Sequence, residues 1–347
     1  MHRLAYPRKL APGDRVAVLS PSSGLPEVFP AVFDLGLRRL RDDLGLVPVE
    51  YPTTRRMGTT PRERADDLHA AFADPDIKAV LTSIGGEDQI KVLPHLDPEL
   101  IRANPKPFFG YSDNTNLLNY LWNLGVVSYH GAAVMVQLGR GGRMHPATEA
   151  SLRAALFTHG AYELPAPTDF TDVERSWAEP TWLGSEPEMT PSAPWEWLGG
   201  SHRVTGRSWG GNLEIIDFNL RASRWLQQPA AYAGAVLLLE TSEEMPPPEL
   251  VYRILMGMGE RGLLEQFAAV LVARPKAWSF EQPTGPAERA AYVDAQRAAV
   301  LRALVEYNPS APVVLGIDFG HCDPQLVLPI GGEITLDPST RRITVTY

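Results

Sequence analysis

Cysteine is almost missing from this chain: Cys322 stands alone among 347 residues. One thiol excludes an internal disulfide framework and any multi-cysteine zinc site. Basic charge is short as well, with 32 Lys and Arg against 41 Asp and Glu, a net charge of −9. A deficit of that sign excludes an extended footprint for nucleic acid or an anionic membrane. The opening residues, Met1 to Lys9, hold no apolar run of signal-peptide length, so the cytoplasm is the expected compartment. One stretch, Asn114 to Gly139, lacks Asp, Glu, Lys and Arg, yet Asn116, Asn119, Asn123, His130 and Gln137 interrupt it. Hydrocarbon would penalise those groups, so a buried helix followed by a buried strand is expected there, not a membrane span.

What the chain does hold is core-forming material, 44% hydrophobic against 21% charged residues. Bulk disorder is excluded, and the length suggests two domains. In the first half, short apolar runs (Val16–Leu19, Ala79–Ile84, Phe108–Gly110, Val126–Tyr129) alternate with helical stripes such as Phe33, Leu37, Leu40 and Leu44. Thr60-Pro61-Arg62-Glu63 combines a capping box with proline at the first helical position. This alternation predicts an α/β domain built on a parallel sheet over residues 1–160. Residues 161–204 form a loop rich in proline, with Trp177, Trp182, Trp195 and Trp197. Apolar runs at 235–239, 268–272 and 312–316, a long helix around 286–307 and a terminal hairpin mark a smaller β-rich domain over 205–347. No internal repeat stands out.

Two patterns mislead. Gly257-Met258-Gly259-Glu260-Arg261-Gly262 matches a dinucleotide fingerprint literally, but its glycines trail a helical stripe instead of following a strand, so they read as a helix terminus. His321-Cys322-Asp323 has no second His or Cys cluster at ligand spacing, so no metal site is expected.

Chemistry concentrates at Phe108-Phe109-Gly110-Tyr111-Ser112-Asp113-Asn114-Thr115. An apolar strand turns at Gly110 and enters a helix, with Ser112 at the corner. A hydroxyl on such a turn is exposed, and the next backbone N–H groups can serve a developing oxyanion. Spacing alone equally allows Ser112 or Asp113 to be a helix cap. A nucleophilic serine needs a base and the base an orienting acceptor. His321, beyond the strand at 313–317, and His130, at another strand end, both offer a base, while Glu240 ends an apolar strand. The residues by themselves do not choose between the histidines.

Gly110-Tyr111-Ser112-Asp113-Asn114-Thr115, with Gly85-Gly86, His130-Gly131, Gly210-Gly211-Asn212-Leu213, Leu239-Glu240 and Gly320-His321, resembles the LD-carboxypeptidase family of serine peptidases. The likeness runs in order from about Pro12 to the C-terminus. The Trp-rich middle loop and Thr241-Ser242-Glu243-Glu244 resemble the microcin C immunity branch of that family. The resemblance implies a Ser112–His321–Glu240 triad, with an oxyanion hole made by the backbone N–H groups of Gly86 and Asp113 and no metal or cofactor. It places the site between the two domains and His130 outside the triad, and it implies a homodimer. Trp177 resembles an aromatic that stacks on a nucleobase in the immunity branch, with ring packing between loop and body as the plainer reading. The implied substrate is a small peptidyl or aminoacyl nucleotide of the microcin C type, cleaved at an amide through an acyl-enzyme. The alternative is a murein tetrapeptide losing its terminal D-alanine. Cys322 departs from the threonine more usual beside the histidine. Glu243 and Glu244, if they face inward, would repel a phosphate. A non-catalytic binder using the cleft and an amidotransferase-like enzyme are the rival classes. The amidotransferase would need a cysteine at the elbow.

Overall fold

The computed structural model describes residues 4–347, so Met1–Arg3 of the opening segment fall outside the described residues. The expected strands all form, each within a residue or two of its expected bounds. The first sheet has the order Val47–Glu50, Arg15–Leu19, Ile77–Thr82, Phe108–Gly110, Ser128–His130 and Leu328–Ile330. Its first five strands are parallel. The sixth comes from near the C-terminus and pairs antiparallel with Ser128–His130. The strand expected at Val126–Tyr129 starts later because Val126 and Val127 pair with Ala5 instead. Helices Pro30–Asp42, Pro61–Ala73 and Thr115–Leu124 connect these strands. The second begins with the expected box: Thr60 Oγ1 accepts from the Glu63 N–H, and Glu63 returns a carboxylate to the Thr60 N–H.

The second sheet has a parallel centre, Val204–Asn212, Val236–Glu240, Ala269–Ala273 and Val313–Ile317. The terminal hairpin Glu333–Asp337/Arg342–Thr346 flanks one side, with Ala161–Glu163 beyond it, and Glu196–Leu198 pairs at the other edge. Successive side chains of a strand face opposite ways, so this sheet feeds two cores. Val236 and Leu238 join the apolar mass around the first sheet. Leu237 and Leu239 pack instead with residues of helices Leu213–Ala222, Pro248–Glu260 and Pro286–Tyr307. The shared first core is what fixes the two domains against each other. The glycine-rich decoy lies across the end of helix Pro248–Glu260, as its periodicity implied. Among the described residues no helix is long and apolar enough to cross a membrane.

Two glycines allow close packing at the site, Gly210 against the neighbouring strand and Gly211 against the first domain. Gly210 and Gly211 have φ of +130° and +126°, where L side chains are strained. A Cβ on Gly210 would lie 2.0 Å from the Leu238 carbonyl, and one on Gly211 would lie 2.8 Å from Thr115 Oγ1. Thr115 opens the helix behind Ser112, and its Oγ1 accepts from the Asn212 N–H at 3.1 Å.

Candidate active site

Ser112 follows strand Phe108–Gly110 through Tyr111 and enters a short 3-10 turn, Ser112–Asn114, that runs into helix Thr115–Leu124. Its φ is +60°, a left-handed conformation that a non-glycine residue holds only under constraint from its surroundings. Neither Ser112 nor Asp113 caps the helix, so the capping alternative is not what the chain does. The constraint comes from buried polar residues behind the turn. Asp113 accepts from the Gln89 N–H and from Asn116 Nδ2, both at 3.0 Å. Asn114 accepts from Gln89 Nε2 at 2.7 Å and donates to the Ile84 and Tyr111 carbonyls. Burial pushes the Asp113 carboxyl up to about 6. Gln89 ties the segment after Gly85-Gly86 to the elbow, a role its place in a polar loop did not announce.

Space above Ser112 is kept by glycine. A Cβ on Gly85 would sit 2.9 Å from Ser112 Cβ and 3.1 Å from its Oγ. Among the described residues, neither the Gly86 N–H nor the Asp113 N–H has a hydrogen-bond partner.

From the second domain, Glu240 ends its strand fully buried and accepts from His321 Nδ1 at 2.6 Å. Burial raises the Glu240 carboxyl, but the charge and hydrogen bond of His321 outweigh it and hold the group below its usual range. Burial works against charge on His321 too, yet Glu240 and Glu243 prevail and bring it up to about 9. The Tyr111 ring packs edge-on against His321 with centroids 4.9 Å apart, placing the imidazole beside the residue before Ser112. Ser112 Oγ and His321 share no hydrogen bond. Nε2 faces Glu243 Oε2 at 3.3 Å instead. Sequence reasoning left the orientation of Glu243 open; here it points inward. The rival His130 is wholly buried with Nε2 on the Phe319 carbonyl at 3.0 Å, and burial drops it to about 4. It packs between Tyr111 and Phe319 as a neutral core residue.

Ser112, Gly86, His321 and Trp177 line one cavity of about 1,450 Å³ between the domains. Its walls differ in charge. Glu243, Glu244 and Glu87 crowd the His321 side, and burial with mutual repulsion raises the Glu244 carboxyl. Glu214 adds a carboxyl that burial and the Glu240 charge lift to about 7. Among the lining cations, Arg140 pairs with Asp323 at 2.6 Å, Lys276 with Glu174 at 2.8 Å and Lys91 with Asp88 at 3.5 Å. Arg175 reaches no carboxylate among the described residues; it donates to Ser185 and lies over the Trp182 ring. Trp177, two residues on, meets Phe29 edge-on at 5.7 Å. Cys322 is buried, its thiol pushed up to about 12 by that burial, which makes it inert. Among the described residues no group of His, Cys, Asp and Glu side chains is arranged to hold a metal.

Comparison with known proteins shows the family and the fold. The family models described as LD-carboxypeptidase N-terminal domain and LD-carboxypeptidase C-terminal domain match residues 16–131 and 205–336. A putative carboxypeptidase of Streptomyces coelicolor is 30% identical, over 99% of this chain and 97% of its own. A probable murein peptide carboxypeptidase of Bacillus subtilis is 28% identical, over 98% and 93%. The microcin C7 self-immunity protein MccF of Escherichia coli is 26% identical, over 84% of this chain and 80% of its own. A solved structure of MccF in complex with aspartyl sulfamoyl adenosine superposes with a TM-score of 0.83 at 25% identity, covering 99% of this chain and 98% of that one.

Proposed function

Since the chain belongs to the LD-carboxypeptidase family of serine peptidases, we propose that Ser112, His321 and Glu240 form its catalytic triad. The observation that carries this reading is the 2.6 Å His321–Glu240 contact facing a strained serine across one cavity. In the reaction, Nε2 of neutral His321 leaves Glu243 and takes the Ser112 proton as Oγ attacks the scissile carbonyl. Catalytic hydrogen bonds that are loose without substrate tighten in the complex. The Gly86 and Asp113 N–H groups, free of other partners, receive the oxyanion, and each such donor is worth about 3 kcal/mol of barrier. His321 then returns the proton to the leaving amine. Glu240 keeps Nδ1 protonated and stabilises the imidazolium. Water, activated by the same histidine, releases the acid from Ser112.

For substrate we propose an aminoacyl or peptidyl nucleotide of the microcin C type. The split charge of the cavity fits one orientation: the phosphate-like group beside Arg175, the base against Trp177, and the ammonium of the acyl part along Glu243 and Glu244. MccF, whose fold this chain shares, has been solved with an aspartyl sulfamoyl adenosine bound. The second reading, removal of the terminal D-alanine from murein tetrapeptides, draws on the Bacillus relative and on the acidic wall, which suits a peptide ammonium better than a phosphate. Purified protein given both substrates decides between them, and turnover of the murein peptide alone rejects the first. We take the working form to be a cytoplasmic homodimer built from domains at 1–160 and 205–347 joined by the 161–204 loop. Light scattering tests the dimer.

A further inference from the structure

Behind the triad lies a second cavity, about 280 Å³, that shares no lining residue with the first. It opens at the carboxyl ends of the parallel strands Val236–Glu240, Ala269–Ala273 and Val313–Ile317, under helix Pro286–Tyr307. Crevices at that end of parallel sheets are where α/β proteins hold ligands. Its walls are aliphatic: Leu213, Leu239, Val251, Val272, Val300 and Leu315. A cavity of roughly 150 Å³ holds a benzene-sized molecule, so this one takes a branched chain of several carbons with room to spare.

Among the polar residues of the lining, two are nearly fully buried and have an unpartnered oxygen. Gln296, 4% exposed, donates Nε2 to the Pro246 carbonyl at 2.6 Å, and its Oε1 has no partner. Glu240, 2% exposed, uses Oε2 for His321; its Oε1 makes no hydrogen bond of good geometry, with the Asn212 side chain the donor nearest to it. Buried acceptors without donors are costly, so both favour a donor brought in from outside. At the lining, Arg297 is held by Glu196 at 2.5 and 2.7 Å and Arg274 by Asp318 at 3.2 Å, while Asp294, exposed at the rim, has no ion-pair partner among the described residues. The lining thus holds three carboxylates, Glu196, Glu240 and Asp294, against two guanidiniums, Arg274 and Arg297, and an ammonium is the donor that fits that balance.

We propose that this cavity is a binding site for a small aliphatic primary amine, its carbon chain among the leucines and valines and its ammonium donating to Glu240 and Gln296. The site is separate from the substrate cavity, yet its occupant touches the carboxylate that orients His321.

The test uses 3-methylbutylamine as the probe, with 3-methylbutanol and 3-methylbutanoate as matched controls, followed by ligand-observed NMR on the full chain. The amine is expected to bind at least tenfold more tightly than the alcohol, and the carboxylate not at all. Val300→Trp fills the cavity and abolishes amine binding; Leu315→Phe, a milder filling, serves if the tryptophan variant melts early. Gln296→Leu weakens the amine about tenfold. Equal binding of amine and alcohol, or amine binding that survives a folded filling variant, overturns the proposal. The readout is binding alone, so it stands or fails apart from the triad.

Discussion

The contact between His321 and Glu243 yields a prediction whose sign is unusual: removing a charged residue from the active site should make the enzyme faster at neutral pH. A general base works only when unprotonated, and His321 is held at about 9. At pH 7 only about 1% of the protein then carries a neutral imidazole. Glu243 lies 3.3 Å from Nε2 and its side chain is 48% exposed. With solvent that close a dielectric near 80 applies, and the attraction is about 1.3 kcal/mol, close to one pH unit. Glu243→Gln should therefore move the acid limb of the rate profile down by about one pH unit and raise the neutral-pH rate by up to about tenfold. Glu240 stays, so the tautomer is unchanged. The assay is phosphonylation of Ser112 by a fluorophosphonate across pH 5–10, Oγ displacing fluoride from phosphorus; the probe carries no ammonium for the acidic wall to bind and so isolates the base. A limb that stays in place, or moves up, refutes the argument that Glu243 competes with Ser112 for Nε2.

Ser112→Ala should abolish hydrolysis with the fold retained, and Ser112→Gly should be equally inactive but more stable by about 1 kcal/mol, because glycine relieves the left-handed backbone at φ +60°; a Gly variant melting no higher than wild type rejects the strain. Gly85→Ala puts a methyl 3.1 Å from the Ser112 hydroxyl and should lower turnover about 100-fold by displacing it, with melting little changed. Folding stability should fall between pH 6 and pH 10: His321 takes up its proton more tightly folded than unfolded, so its contribution is whole below about 6.5 and lost as pH rises through about 9. Denaturation midpoints at the two pH values measure this, and His321→Gln should flatten that part of the dependence.

How far the sequence discloses these features depends on the range of the interaction behind each. Strand Val236–Glu240 and helix Pro286–Tyr307 are written in local apolar pattern, and the Thr60–Glu63 box in four consecutive residues. The elbow at Ser112 was legible for the same reason: strand, glycine and helix start are contiguous. Strands Leu328–Ile330, Ala161–Glu163 and Glu196–Leu198 carry only three residues each, too few for a period, and are fixed by partners far along the chain. The contact of His321 with Glu240 was legible only through likeness to a family, since nothing local distinguishes His321 from His130. What separates the two histidines is burial against charge. His130 meets a carbonyl and two rings and is driven neutral, whereas His321 meets two carboxylates and is driven cationic. The same balance explains Glu243. Half exposed and 3.3 Å from Nε2, it is readable from sequence as one more surface acid, and meets the proposed base only once residues 240–244 and 321 are folded into one wall.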